Sequence, residues 1–237
     1  DGLTISGDLD WKETHVMLKM DFPAEVNTTK ATFDIQFGSI ERPIHKNTLW
    51  DYARFEVCAH KWVDLSDNGF GITLLNDCKY GYDVTREHIR LSILRCGTYP
   101  NPHQDQCRHA FSCKLLAHTG PVDLPAVNEA AYAFNYPLHA RYTAGGGTLP
   151  GRFSLMQLDR ANIIIETVKK AEDSDAVVVR AYECANCACD AVLSLGFPVT
   201  AAAETDLMEG APTALPLENG RVRLHFAPFE IKTILLS

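Results

Sequence analysis

Trp11–Pro23 reads WKETHVMLKMDFP. Val16, Leu18 and Met20 fall on one face of an extended chain, and Met17, Lys19 and Asp21 on the other. A period of two predicts a half-buried β-strand. The same rhythm returns along the chain, at Lys30–Phe37, Arg54–His60, Gly71–Leu75, His88–Leu94 and Ala110–Ala117. Turn formers separate these runs, among them Asp67-Asn68-Gly69 and Tyr99-Pro100-Asn101-Pro102. One short helix, a turn or two near Trp50–Ala53, is expected. Many short strands spaced this closely predict an all-β chain built as a sandwich or a larger two-sheet supersandwich.

Periodicity lapses over Leu138–Arg152, where Gly145-Gly146-Gly147 and Pro150-Gly151 stand. Strands then resume at Leu155–Leu158, Ala161–Lys169, Ala176–Tyr182, Ala191–Leu195, Arg221–Phe226 and Glu230–Leu236. The expected organisation is a large β-domain over 1–140, a linker over 141–152 and a smaller β-sandwich over 153–237. The opening DGLTISG carries neither an initiator Met nor a signal-peptide pattern and reads as part of something longer. The alternating tail EIKTILLS reads as a natural end.

A formal net charge of -8, with 22 basic residues scattered along the chain, argues against nucleic acid or an anionic membrane as partner. No apolar run approaches the roughly 20 residues that span a bilayer. The cysteines, at 58, 78, 96, 107, 113, 184, 187 and 189, read as reduced intracellular thiols in a chain large enough to need no disulfides.

Four segments carry a family resemblance: WKETHVMLKMDFP, the block Glu41–Val84 (ERPIHKNTLWDYARFEVCAHKWVDLSDNGFGITLLNDCKYGYDV), Ile89–Leu115 (IRLSILRCGTYPNPHQDQCRHAFSCKL) and Pro228–Thr233 (PFEIKT). In the third, Ile89-Arg90 stands where the family's first Leu does. In this order they resemble the C-terminal β-region of glycoside hydrolase family 38 α-mannosidases, in the cytosolic, vacuolar and bacterial branch. The resemblance implies a mutarotase-like supersandwich followed by a small sandwich. It also implies a retaining, zinc-dependent hydrolase of α-linked mannose, with a covalent glycosyl–enzyme intermediate and a second carboxylate as acid/base. Zinc, nucleophile and acid/base would lie outside this chain, in a catalytic α/β barrel followed by a helical domain. No catalytic residue and no metal site is expected here, and the chain alone should be inactive. A cytoplasmic, homo-oligomeric enzyme acting on an α-mannoside is implied.

Two readings stand for each polar cluster. Arg42, His45, Asn47, Asp51 and Arg54 could form a loop that lines a sugar site, because planar groups grip hydroxyls in pairs. Alternatively Pro43 and the Trp50/Tyr52 pair mark a loop packed on its own sheet. Asn76, Asp77, Lys79 and Tyr80 form a turn after a strand, a suitable place for ligand contacts, but Asn and Asp also build turns for local reasons. By resemblance, that turn, Leu94-Arg95 and Asp105–His109 face the barrel, and Arg95 stands near an arginine of the Golgi enzymes' pattern.

Cys107 and His109 would share one strand face, and Cys184-x-x-Cys187-x-Cys189 has ligand-like spacing. Zinc takes four ligands, and neither cluster supplies them. Relatives resemble the second as RLYEAHG without cysteines, so it reads as a hairpin with local substitutions. His15 and His60 read as structural residues on strands. An independent carbohydrate-binding module is the competing function. It would need an aromatic platform, and of Trp11, Trp50 and Trp62 two lie inside the Glu41–Val84 block, where packing explains them. A free-standing mutarotase-type enzyme would have to press His45 and Asp51 into acid and base roles.

Overall fold

The computed structural model describes residues 2–148 and 150–237. Residue 1 of the expected first domain and residue 149 of the expected linker lie outside them. The chain divides into two compact units, Asp1–Asp123 with Val127–Leu138, and Leu124–Ala126 with His139–Ser237.

In the first unit the larger sheet has the order β1-β10-β7-β6-β3-β4. Its strands are β1 (Leu3–Asp10), β3 (Lys30–Ile35), β4 (Gly38–Pro43), β6 (Trp62–Ser66), β7 (Phe70–Asn76) and β10 (Arg108–Thr119). The smaller sheet, β2-β9-β8-β5, combines β2 (Leu18–Pro23), β5 (Val57–Cys58), β8 (Gly81–Val84) and β9 (His88–Leu94). Every pairing is antiparallel. Between the sheets lie Phe22, Val26, Phe33, Val63, Leu65, Leu74, Tyr82, Ile89 and Leu91. Each such side chain contributes roughly 1.5–3 kcal/mol through burial.

The opening strand starts later than its alternation predicts. His15 adopts φ 56° and donates its backbone N–H to Cys96, so the chain bends there. Val16 and Met17 are left exposed, and pairing begins at Leu18. The Arg54–His60 strand shrinks to Val57–Cys58, and His60 sits in a bend after it. The expected short helix is α1 (Leu49–Ala53). A second helix, α2 (Leu124–Asn135), was not expected. From it, Asn128 accepts a hydrogen bond from the fully buried Trp62 indole at 3.1 Å.

In the second unit one sheet is β11-β14-β18-β17, from β11 (Met156–Leu158), β14 (Cys189–Leu195), β18 (Arg221–Phe226) and β17 (Leu217–Glu218). The other is β12-β13-β19-β15-β16, from β12 (Ile163–Lys170), β13 (Val177–Glu183), β19 (Ile231–Leu236), β15 (Ala202–Thr205) and β16 (Thr213–Leu215). Ile163, Val179, Leu193, Val222, Phe226 and Ile234 belong to a single core drawn from both sheets. Strands β13 and β14 lie in different sheets, so the Cys184–Cys189 segment crosses between sheets and is not the hairpin expected. The chain is all-β, with several sheets in sandwich domains.

Candidate functional site

The loop after β4 is organised by a capping box. Thr48 is the N-cap of α1 and its hydroxyl accepts from the Asp51 amide at 3.1 Å. The Asp51 carboxylate in turn accepts from the Thr48 amide at 3.1 Å and its hydroxyl at 2.8 Å. His45 Nδ1 lies 3.5 Å from that carboxylate. Arg42 lies with its guanidinium 4.7 Å over the Phe33 ring, and burial lowers its pKa against the opposing charge of Cys58. Arg42, His45, Asp51 and Arg54 do converge, together with Tyr82 and Asp83, around a cavity of about 20 Å3. That is room for about one water, far too little for a pyranose ring.

The outer side of this loop is apolar. Leu49 is 86% exposed, Trp50 78%, Tyr52 66% and Phe55 62%. The expectation that Trp50 and Tyr52 pack on their own sheet is therefore incorrect, as is the assignment of Trp50 to packing within the block. A five-residue helix whose polar groups point into its cap turns its large side chains outward.

The turn after β7 is similarly committed. Asn76 is 1% exposed. Its side-chain amide donates to the His60 carbonyl at 2.6 Å and to the Tyr82 hydroxyl, and its carbonyl oxygen accepts from the Lys79 amide at 2.8 Å. Tyr82 is wholly buried, which pushes its phenol pKa far up. The Asp77 carboxylate accepts from the Ser112 amide at 3.0 Å, locking the turn to β10. The adjacent Cys78 thiol is pushed up to about 11, by burial first and then by the Asp77 carboxylate. Lys79 is half-buried. Tyr80 is exposed, edge-on to His60 at 6.0 Å between ring centroids. Arg95 is exposed just beyond β9.

Sequence reading missed three buried carboxylates, Asp34, Asp64 and Glu183. Asp34, on β3, accepts from the Lys61 amide at 2.7 Å and pairs with its ammonium at 3.1 Å. Burial pushes the Asp34 carboxyl up, and Lys61 opposes the shift. Asp64, on β6, accepts from Ser66 at 2.6 Å and Thr73 at 2.6 Å, and lies 2.8 Å from His118 Nε2. For the first two the available signal was a single acid inside an apolar run, FDI or WVDLS, which folding must either pair or exclude.

The cysteine-rich crossing is built around a carboxylate. Glu183, fully buried, accepts from the amides of Ala185 at 2.7 Å, Cys187 at 3.2 Å and Phe229 at 3.0 Å, and from Asn162 Nδ2 at 2.9 Å. Asn162 also reaches Cys189 Sγ at 3.4 Å. At the other cluster, His109 Nε2 lies 2.8 Å from the Asp105 carbonyl and 3.4 Å from Cys107 Sγ. All eight cysteines are thiols. Among the described residues no group of three or more His, Cys, Asp or Glu is placed to hold a metal ion, so these residues do not fit a zinc centre. Nor, among them, is any helix long and apolar enough to cross a membrane.

Comparison with known proteins adds the family. Residues 1–103 match the model described as Glycosyl hydrolases family 38 C-terminal domain, and residues 162–234 match Glycosyl hydrolases family 38 C-terminal beta sandwich domain. Over 234 residues the chain is 42% identical to human "Alpha-mannosidase 2C1", covering 97% of this chain and 22% of that protein. It is 39% identical over 178 residues to "Alpha-mannosidase G" of Dictyostelium discoideum, covering 74% of this chain and 16% of that protein. The chain thus spans about a fifth or less of the length of these curated relatives. An alpha-mannosidase structure from Enterococcus faecalis V583 shares the fold, with a TM-score of 0.82 at 20% identity over 100% of this chain and 27% of that one. The chain belongs to glycosyl hydrolases family 38, as part of its C-terminal β-region.

Proposed function

We propose that the chain is the non-catalytic β-region of a retaining, zinc-dependent α-mannosidase that releases α-linked mannose from oligosaccharides in the cytoplasm. The observation that carries this reading is the 42% identity, along almost the whole chain, to an α-mannosidase of which the chain spans only 22%. The chemistry of the carboxylates supports it. A glycosidase needs one carboxylate to attack and another to carry a proton, the proton carrier having a raised pKa. Asp34, whose carboxyl is raised, is sealed beneath Lys61. Asp67 is held low by the amides of Gly69, Phe70 and Asn27. Asp51, Asp64 and Glu183 each accept several bonds, and Asp77 accepts one from the Ser112 amide, so that each shapes its own loop or ties two strands together. In this reading zinc, nucleophile and acid/base belong, as the family resemblance implies, to the α/β barrel of the same enzyme.

In this reading the β-region buttresses the barrel and the helical domain. The exposed Leu49, Trp50, Tyr52 and Phe55 are the apolar face that docks there, since such a cluster gains by leaving water. Arg42, His45, Asp51, Asn76 and Asp77 hold the loops in shape, and Lys79, Tyr80 and Arg95 are the groups left free to approach sugar. The whole enzyme works as a homo-oligomer.

The test is turnover of an aryl α-mannoside. The 237-residue chain should show none with or without zinc, whereas the intact enzyme should turn over, lose activity to a chelator and first release the α-anomer. Zinc-dependent turnover by the chain alone would sink the reading.

A further inference from the structure

Near the turn after β7 the first unit bears a surface hollow of about 330 Å3, lined by Cys58, His60, Lys61, Tyr80, Asn135 and Tyr136. Its size is at the small end of ligand pockets, which run from about 300 to 1,000 Å3. Its walls come from three separate pieces of chain. The β5–β6 connection gives Cys58, His60 and Lys61, the β7–β8 turn gives Tyr80, and the end of α2 gives Asn135 and Tyr136.

Each wall is held from behind. Asn135 Nδ2 donates to the carbonyls of Asn76 at 3.1 Å and Ala131 at 2.9 Å, which fixes the amide and leaves its oxygen to accept. Tyr136 stacks on Tyr132 at 5.9 Å with an interplanar angle of 21°. The Lys61 ammonium is pinned 4.8 Å above Tyr132 and 3.1 Å from the buried Asp34 carboxylate. His60 is steadied by its edge-on contact with Tyr80. A ligand would therefore meet groups that are already ordered, which lowers the entropic cost of binding.

We propose that this hollow is a binding subsite for a neutral hexopyranosyl unit. The residue types select that class. Tyr80 and Tyr136 are 52% and 70% exposed, and so offer aromatic surface to the C–H face of a sugar ring. The Asn135 carbonyl, the His60 nitrogens and the Lys61 donors can take the hydroxyls around its edge. A phosphate or carboxylate ligand is disfavoured, because the single ammonium is already paired with Asp34. An aliphatic peptide is disfavoured by the amide, imidazole and ammonium among the rings. The larger hollow of about 540 Å3 beside Lys30, Glu41 and Asp67 contains no aromatic surface and makes a poorer sugar site.

The inference goes beyond the α-mannosidase reading and rests on it only for the choice of sugar. The test is a saturation-transfer NMR titration of the chain with α-mannobiose, with glycerol as a control polyol. Saturable binding is expected with a dissociation constant on the order of millimolar. Tyr136→Ala should weaken it at least about tenfold, and Tyr80→Phe should keep most of it, because the aromatic face remains. Both side chains are exposed, and the amide spectrum checks that each variant stays folded. No saturation up to about 50 mM, a glycerol signal equal to the sugar's, or equal affinity in Tyr136→Ala would overturn the subsite. Loss of the subsite with zinc-dependent turnover of the intact enzyme preserved would leave the α-mannosidase reading standing. Turnover by the chain alone would do the reverse.

Discussion

The loop from Glu41 to Arg54 in the first unit and the crossing from Glu183 to Cys189 in the second each gather candidate ligand-binding residues into a short stretch, charged and polar groups in the first, a carboxylate and cysteines in the second. They resolve that content in opposite directions. In the first, Asp51 closes a local cap on Thr48, three residues away, and the large apolar side chains Leu49, Trp50 and Tyr52 go outward. In the second, Glu183 reaches inward to the amides of Ala185 and Cys187 and across the sequence to Phe229. A locally satisfied loop can present a surface to a partner. A loop satisfied through a buried, long-range carboxylate is part of the core that holds the sandwich together.

That contrast can be broken most forcefully at Glu183. Replacing it with Ala leaves three amides and the Asn162 side chain without their acceptor, and should cost about 3 kcal/mol or more in urea unfolding of the chain. Glu183→Gln keeps the shape and should cost less. A loss under about 1 kcal/mol for the alanine variant would mean the crossing is held by something else. Asp51→Ala removes only a cap, so about 1 kcal/mol is expected, with faster amide exchange confined to residues near 48–54. A global acceleration of exchange would show that the two loops are not different in kind. The smallest effect should come from Trp50→Ala, within about 0.5 kcal/mol in the chain alone, since the side chain is 78% exposed. In the intact enzyme the same change should cost about 2 kcal/mol or more if the indole is an interface anchor. Thermal unfolding of both forms compares the two values.

Strands that keep one face wet were legible. His88–Leu94 begins and ends where its alternation predicts, and so does Arg221–Phe226, whose residues alternate exposed and buried throughout. Strand β6, Trp62–Ser66, was missed because its first four residues are all buried. With the Trp62 indole hydrogen-bonded to Asn128 of α2, the outer face is covered as well, and covering both faces erases the period of two. Helix α2 was missed despite Pro125 in its first turn and an alanine-rich run after it, both ordinary helix signals. Of the polar loop grouped in the sequence, Arg42, His45, Asp51 and Arg54 line one cavity, and Asn47 is not among its lining residues. Sequence reading missed the hollow at Tyr80 because one of that hollow's three walls, Asn135 and Tyr136, comes from the end of the unexpected helix and the residue after it.

Alternation, turn residues and the four quoted segments were enough, taken alone, to make this an all-β chain of the family 38 α-mannosidase type. Those signals are local, or are carried by residue identity, and survive being read in one dimension. Which way each polar side chain faces was decided only by the tertiary structure. Asn76 is fixed partly by the His60 carbonyl, Asp34 by Lys61 and Glu183 by Phe229, partners 16, 27 and 46 residues distant. A carboxylate or amide commits to whichever donor folding brings within about 3 Å, and no spacing in the sequence records that choice.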